Sequence, residues 1–362
     1  MRPSWVEVDL DAIRHNVAEI AKLVAPAKFC AVVKADGYGH GDVPVAEAAL
    51  GAGADWLAVA TVGEAVRLRE AGIEAPILLL SEVAEEDAAS VVAQSLTPTV
   101  YSLPALEAIS AAVTAPLAVQ VKLDTGMHRV GADLETASDL VTRIADHELL
   151  ELGGIWTHFP SAEGETDFTE GQVKQLSEFV AGVGPSPKLV HAANSAGALL
   201  YPDARFDMVR IGLAMYGCLP SPACGDVVSL QPAMRVVSKV VHIKRLPAGA
   251  RPTYGRIRPL ERESTVATIP IGYADGITRR LAKIGGAVLI GGVRRPYAGI
   301  VTMDQIVVDM GDDPVEVGDQ VVLLGAQGDE EISADEWAER LDSVSWEILC
   351  GFGPRLPRRY RG

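Results

Sequence analysis

The stretch KFCAVVKADGYGHGD, residues 28–42, decides how this chain is read. Its first half, KFCAVVK, is apolar from Phe29 to Val33 without alternation, which predicts a short strand buried on both faces. Such strands belong to parallel sheets covered by helices. This one ends on a single lysine, Lys34, and then runs into a loop holding Gly37, Gly39, Gly41, Tyr38 and His40. A lysine there has two readings: a plain strand end reaching for water, or an amine placed for covalent chemistry.

Outward from that strand, two periods alternate. Before it, LDAIRHNVAEIAKLV sets Leu10, Ile13, Val17, Ile20 and Val24 at helical spacing. Asp9 or Asp11 is placed to cap that helix. After it come a helix over about 42–52, strand WLAVAT, and helix VGEAVRLREAG, with Gly72 placed to end it. Strand PILLL, a helix over about 83–94, strand TPTV, a helix over about 102–112 and strand LAVQVKLD continue the pattern. Leu134, Ala137, Val141 and Ile144 mark the next helix. ELGGIWTH, KLVHAA and FDMVRIG read as three more strands, with a helix over about 168–181 between the first two. Strand–helix alternation implies right-handed crossovers and a parallel sheet. Eight such strands by about residue 225 fit a (β/α)8 TIM-type barrel better than an open sheet.

The texture changes at LPSPACGDV, a Pro/Gly/Ser-rich boundary. Beyond it strands dominate, in MRVVSKVVHIKRL, STVATIPIG, AVLIGG, QIVVDM and QVVLLG. One helix interrupts, SADEWAERL, where Ser333 and Glu336 are spaced as a capping box. The expected organisation is therefore an α/β barrel domain over 1–225 and a mostly-β domain over 226–362.

Composition narrows the class. Lys and Arg total 32 against 48 Asp and Glu, a net charge of −16, which argues against a nucleic-acid or anionic-membrane partner. The four cysteines form no CxxC pair, and scattered thiols suit a reducing cytoplasm. The opening MRPSWVEVDLDAI lacks the order of a signal peptide, and no apolar run approaches a membrane span. A cytoplasmic protein is expected.

Barrel sites lie at the carboxyl ends of strands. The polar groups delivered there are Lys34 and Tyr38; Lys122, Asp124 and Arg129; Thr157 and His158; His191, Asn194 and Ser195; and Arg210 with Gly212. Any one of them alone is an ordinary solvated strand end or cap. Most strand ends carrying one is more than an inert barrel needs. Asp124 is the only acid of the set, so a divalent metal site is not expected. The set is instead rich in cations and phosphate donors. Ser195 opens a short helix and RIG offers backbone amides, near the last two strands where barrels place phosphate. A phosphate site opposite a strand-end lysine suggests pyridoxal 5'-phosphate (PLP) held as a lysine Schiff base. A sugar-phosphate aldolase would show much the same pattern.

EVDLDAIRHN, AVVKADGYGHGD, VKLDTGMHRVG, GIWTHF, ANSAG, FDMVRIGLAMYG, TYGR, IPIGYADG and TMDQ follow one another across nearly the whole chain. In order and spacing they resemble the alanine racemase family. The resemblance implies a PLP barrel, a C-terminal β-domain, and a homodimer whose active sites combine one subunit's barrel with the other's β-domain. The reaction it implies is interconversion of L- and D-alanine, supplying cell-wall precursors. Lys34 then matches the Schiff-base lysine and one racemising base, and Tyr254 of TYGR the opposing base, donated by the partner subunit. His158 matches the contact of the tyrosine oxygen, Arg210 faces both His158 and the pyridine nitrogen, and His191 contacts Arg210. Tyr38, Ser195 and the amides of Gly212 and Leu213 match the phosphate ligands, with Asn194 counted among the cofactor-binding positions. Arg129 matches the residue near the phenolic oxygen and the substrate carboxylate; Met303 offers its amide to that carboxylate, and Asp304 supports the loop. Tyr273 narrows the substrate channel, and Lys122 matches a lysine that many members carbamylate.

Three positions depart from the pattern. Trp346 in SWEIL stands where a gate tyrosine is common, Thr302 where cysteine is common, and His128 where glycine is common. Indole is larger than phenol and donates without accepting, so Trp346 bears on channel width and substrate choice. Two alternatives follow: the same machinery acting on serine or another small amino acid, and a PLP carrier without racemase activity. TYGR and TMDQ weigh against the carrier, which needs neither an opposing base nor a carboxylate clamp.

Overall fold

A computed structural model describes residues 2–362, which divide into two compact units. One comprises residues 11–37 and 42–231; the other comprises the segment up to Leu10, Tyr38–Gly41 and Pro232–Gly362.

The chain opens with β1, Trp5–Asp9. Then come β2 (Lys28–Val32), β3 (Trp56–Val59), β4 (Ile77–Leu79), β5 (Thr99–Val100), β6 (Leu117–Lys122), β7 (Leu150–Trp156), β8 (Val190–His191) and β9 (Met208–Ile211). Strands β2 to β9 are the eight read from the sequence. They pair in parallel as β4-β3-β2-β9 and β5-β6-β7-β8. The seams close through a parallel bridge between Leu78 and Thr97, and through Arg210 N–H donating to the Ala193 carbonyl at 2.9 Å. The result is a (β/α)8 barrel.

Helical spacing translates into burial except at the first position of two helices, where Leu10 is half-buried and Leu134 is 48% exposed. In the helix Leu10–Val24, Ile13, Val17, Ile20 and Val24 are buried. In Leu134–Asp146, Ala137, Leu140, Val141 and Ile144 are buried. Gly72 lies just past the helix Val62–Glu70 at φ 86°, where a side chain would be strained. The helix read over 83–94 is shorter, a 3₁₀ turn at Glu85–Asp87 followed by Ala88–Ala93.

The second unit is strand-rich, with β10 (Met234–Lys239), β11 (His242–Leu246), β12 (Ser264–Ile269), β13 (Ala287–Ile290), β14 (Val293–Pro296), β15 (Ile306–Gly311), β16 (Gln320–Gln327), β17 (Glu330–Ile332) and β18 (Arg358–Arg361). One sheet runs β14-β13-β16-β10-β1-β18 with β17 on β16; a second runs β11-β12-β15. MRVVSKVVHIKRL, read as one strand, is two. Val240 N–H turns to the Asp319 carbonyl and Val241 N–H to that of Thr268, so β10 and β11 enter different sheets. Strand β1 was not anticipated. Its partners lie far along the chain, Trp5 opposite Val237 and Val6 opposite Arg358, and no local signal announces such pairing.

The capping reading at Ser333 needs a correction. Ser333 Oγ accepts the Glu336 N–H at 3.0 Å, but the Glu336 carboxylate pairs with Arg294 and Arg340 instead of turning back to the cap. The complete box is at Thr61 and Glu64.

Candidate active site

In the barrel unit the site begins at the end of β2. The Val33 amide still donates to Ala58 of the neighbouring strand, and Lys34 follows, half-buried. The next four residues are left-handed: Ala35, Asp36, Gly37 and Tyr38 have φ of 53°, 54°, 58° and 52°. Each non-glycine residue in that region costs about 1–2 kcal/mol, so the turn must be held from outside. Glu64 holds it: one carboxylate oxygen accepts the Ala35 N–H at 2.7 Å, and the other accepts those of Ala60 and Thr61 at 2.8 and 3.1 Å. Asp36 accepts the Asp42 N–H at 3.2 Å and closes the far side. Sequence reasoning passed over Glu64; the TxxE spacing of Thr61 and Glu64 was the available signal.

Arg210, on β9, is the hub. It is buried, and its Nη1 lies 2.6 Å from Nδ1 of His191. Its Nη2 donates to the carbonyls of Thr157 and Ala192 at 2.8 and 2.9 Å, and lies 3.3 Å from Nδ1 of His158. Nε has no hydrogen-bond partner among the described residues. Burial pulls the Arg210 pKa down to about 10, which leaves it a cation at neutral pH. A guanidinium donates and cannot accept, so both Nδ1 atoms act as acceptors. Both imidazoles are then neutral with the proton on Nε2. Burial first, then the charge of Arg210, holds each of them well below the usual histidine range.

Trp156 at the end of β7 ties the cluster together. His191 stacks on it at 5.5 Å with planes 11° apart, and the Arg210 guanidinium lies 4.5 Å from its ring centroid. Lys122 Nζ lies over the ring at the same 4.5 Å. Burial, then the charges of Arg210 and Arg129, pulls the Lys122 amine down to about 8, with Asp124 opposing. Arg129 is exposed and Lys34 half-buried, and both charges are felt at Lys122 and His158. Four cationic residues, Arg210, Lys122, Arg129 and Lys34, thus gather around His158.

Just past β8 and β9 the predicted phosphate elements assemble. Ser195 Oγ accepts the N–H groups of Gly212 and Ala214 at 3.1 and 3.4 Å, which leaves its own hydroxyl proton to donate outward. Leu213 follows Gly212 in the same 3₁₀ turn. Asn194 caps the short helix by accepting the Gly197 N–H at 2.9 Å and donates to the Phe159 carbonyl at 3.4 Å, so its amide is already committed. The donor set fits a phosphorylated aldehyde with a ring nitrogen: an amine, a hydroxyl among amides, and an unspent Nε–H that can face only an acceptor. Among the described residues, no His, Cys, Asp and Glu group could hold a metal ion.

The remaining site residues lie in the β-rich unit. Tyr38 is buried there. Tyr254, on a 3₁₀ turn entered through Thr253 at φ 64°, is 74% exposed. Tyr273 and Met303 are also exposed, and their loops are sewn together: Tyr273 N–H donates to the Thr302 carbonyl at 2.9 Å and Ala274 N–H to that of Met303 at 3.1 Å. Asp304 pairs with Arg355 at 2.6 Å. Buried Asp275 binds Arg2 and Arg355 and accepts the Gly272 N–H at 2.9 Å. Trp346 is half-buried on the helix Ser345–Cys350.

The chain is similar to known proteins over nearly its whole length. The family model for the N-terminal domain of alanine racemase matches residues 8–220, and that for the C-terminal domain matches 233–360. The chain is 43% identical to the alanine racemase of Symbiobacterium thermophilum, over 100% of this chain and 98% of that one. It is 44% identical to that of Salinispora arenicola, over 99% and 98%. Among solved structures, alanine racemase from E. faecalis superposes with a TM-score of 0.94 at 38% identity, covering 99% of this chain and 98% of that one. The Bacillus anthracis enzyme with bound L-Ala-P gives 0.93 at 38%, covering 100% and 96%. No helix among the described residues is long and apolar enough to cross a membrane.

Proposed function

This chain belongs to the alanine racemase family, and we propose that it interconverts L- and D-alanine in the cytoplasm as a homodimer with shared active sites. The family is PLP-dependent. Lys34 would hold the cofactor covalently; Tyr38, the Ser195 hydroxyl and the Leu213 amide would take its phosphate, and the Gly212 amide would join them by turning from Ser195 Oγ. Arg129 would meet its phenolic oxygen, and Arg210 Nε–H its ring nitrogen. Bound there, PLP acidifies the Cα proton of the substrate.

The protein's own residues then decide where protons go. Racemisation takes a proton from one face of Cα and returns one to the other, so it needs two bases. The Lys34 amine serves one face, and Tyr254 of the partner subunit the other. A phenol titrates near 10 and needs positive surroundings to act as a base at neutral pH. The observation that carries this reading is the forked bonding of Arg210. Because His158 accepts at Nδ1, its Nε2–H is left to donate to the tyrosine oxygen and stabilise the phenolate. Arg210 also cannot give a proton to the ring nitrogen, which favours return of the proton to Cα over transfer elsewhere.

Arg129 and the Met303 amide would bind the substrate carboxylate, with Asp304 supporting the Met303 loop and Tyr273 lining the channel. Lys122, with its depressed pKa, is suited to carry CO₂ as a carbamate whose oxygens orient Arg129. A racemisation assay on the purified holoenzyme across L- and D-alanine, serine and other small amino acids tests the proposal. Preference for alanine is expected. A clear preference for serine overturns the substrate assignment, and no racemisation at all favours a PLP carrier.

A further inference from the structure

We propose that Gln120 is a positioning residue for this reaction: its side-chain oxygen fixes the tautomer of His191 and thereby locks the Arg210 guanidinium in its forked arrangement. The inference rests on the role given above to Arg210.

Gln120 sits in β6, wholly buried, the one uncharged polar side chain of a strand that is otherwise apolar up to Lys122 at its end. Its Oε1 lies 2.7 Å from Nε2 of His191, whose Nδ1 lies 2.6 Å from Nη1 of Arg210. The direction of every proton in this chain follows. Arg210 can only donate, so Nδ1 of His191 is bare. The neutral ring then carries its proton on Nε2, and that proton requires an acceptor. Gln120 must present its oxygen. With the amide turned over, NH₂ would face N–H.

This orientation has a visible cost. Nε2 of Gln120 is buried with no hydrogen-bond partner. Buried donors are rarely left so, and a fold that tolerates one is keeping the other end of the amide in place. The backbone makes room for it as well. The β6–β7 register shifts between Val119 and Gln120, setting Gln120 opposite Gly154. A Cβ on Gly154 would lie 3.1 Å from Cδ of Gln120. Trp156, stacked on His191 and lying against Arg210, blocks sideways escape. The freedom left to the imidazole is exchange of tautomer or a ring flip, and Gln120 opposes both.

The test combines nitrogen-15 NMR of histidine-labelled holoenzyme with steady-state kinetics on Gln120→Met, Gln120→Glu and Gln120→Asn. Met keeps the size and removes the acceptor, Glu keeps the acceptor, and Asn withdraws it by one methylene. In the parent, His191 should show a protonated Nε2 and a bare Nδ1 across roughly pH 5–8, the range where a free histidine would titrate. The Glu variant should keep that signature with kcat within about threefold of the parent. The Met variant should lose it, with kcat down about tenfold and KM nearly unchanged, because substrate contacts are untouched. A parent His191 protonated on Nδ1, or a Met variant that keeps both tautomer and kcat, overturns the proposal. If Met fails to fold, Asn must fall below Glu in both readouts; equal behaviour overturns it. The tautomer spectrum needs no substrate. A parent that racemises nothing therefore defeats the proposed function and leaves the tautomer result to be judged on its own.

Discussion

Lys122 Nζ lies 4.5 Å from the centroid of the Trp156 indole, in a pocket whose other nearby charges are mostly cationic. A ring face suits a cation, yet burial and the Arg210 and Arg129 charges favour the neutral amine, and its pKa falls to about 8. A neutral amine adds CO₂. Enzyme equilibrated with carbon-13 bicarbonate should therefore show one protein carbamate signal that grows as pH rises through about 8 and is missing from Lys122→Arg. Linkage fixes the sign for stability. The folded pKa lies below the ordinary 10.5, so the penalty for protonation is nil above 10.5 and complete below about 8. In CO₂-free buffer, Lys122→Met should melt above the parent at pH 7, and the gap should close toward pH 10.5.

Glu64 is expected to matter for both folding and cofactor retention. Its two oxygens take three backbone amides, one of them the residue after Lys34. Glu64→Ala strips all three and should lower unfolding stability by about 2–4 kcal/mol in urea titrations. The released cofactor, followed by its absorbance, should appear faster than from the parent. Glu64→Gln should fall between them, since its NH₂ end must face an amide donor.

Gly272 tests the loops proposed to hold the substrate carboxylate. A Cβ there would lie 2.3 Å from the Thr302 carbonyl oxygen and 2.4 Å from that of Met303. Backbone atoms cannot yield that much, so Gly272→Ala must separate the loops carrying Tyr273 and Met303. The expected result is a rise in KM for alanine of at least about tenfold, the scale of one lost charge-assisted hydrogen bond. A KM within twofold of the parent would remove Met303 from the substrate contacts.

What was legible in the sequence follows a physical divide. The eight barrel strands were readable because burial on both faces leaves a local apolar run, and the helices because one buried stripe leaves a period. The meeting of His158, His191 and Arg210 was readable because barrel topology sends strand ends to one mouth. The strand β1 was not, because its partners Val237 and Arg358 leave no mark near Trp5. Gln120 escaped for another reason. A single amide in a mostly apolar strand means nothing until the partner of its oxygen is known, and that partner comes from β8, two strands away. The left-handed turn at Ala35 and Asp36 was equally hidden, since neither residue announces positive φ.

The last expectation concerns assembly. Tyr254 is 74% exposed on a turn beside Ile257, itself exposed, an unusual setting for an aromatic side chain unless another chain uses it. If the partner subunit supplies this phenol, Lys34→Ala and Tyr254→Phe chains are each inactive for different reasons. Tyr254→Phe should lose about 10²–10⁴ in kcat, the usual contribution of a positioned acid or base. Lys34→Ala should lose more, since it also loses the covalent hold on the cofactor. Mixed under conditions where subunits exchange, half of the hybrid's two sites would hold both native residues and half neither. Exchanged mixtures should therefore recover activity approaching one quarter of the parent's, as expected if about half of the dimers are hybrids with one working site each. Mass spectrometry of isotope-labelled chains confirms exchange. Confirmed hybrids with no recovered activity would place Tyr254 in the same subunit's site, or in none.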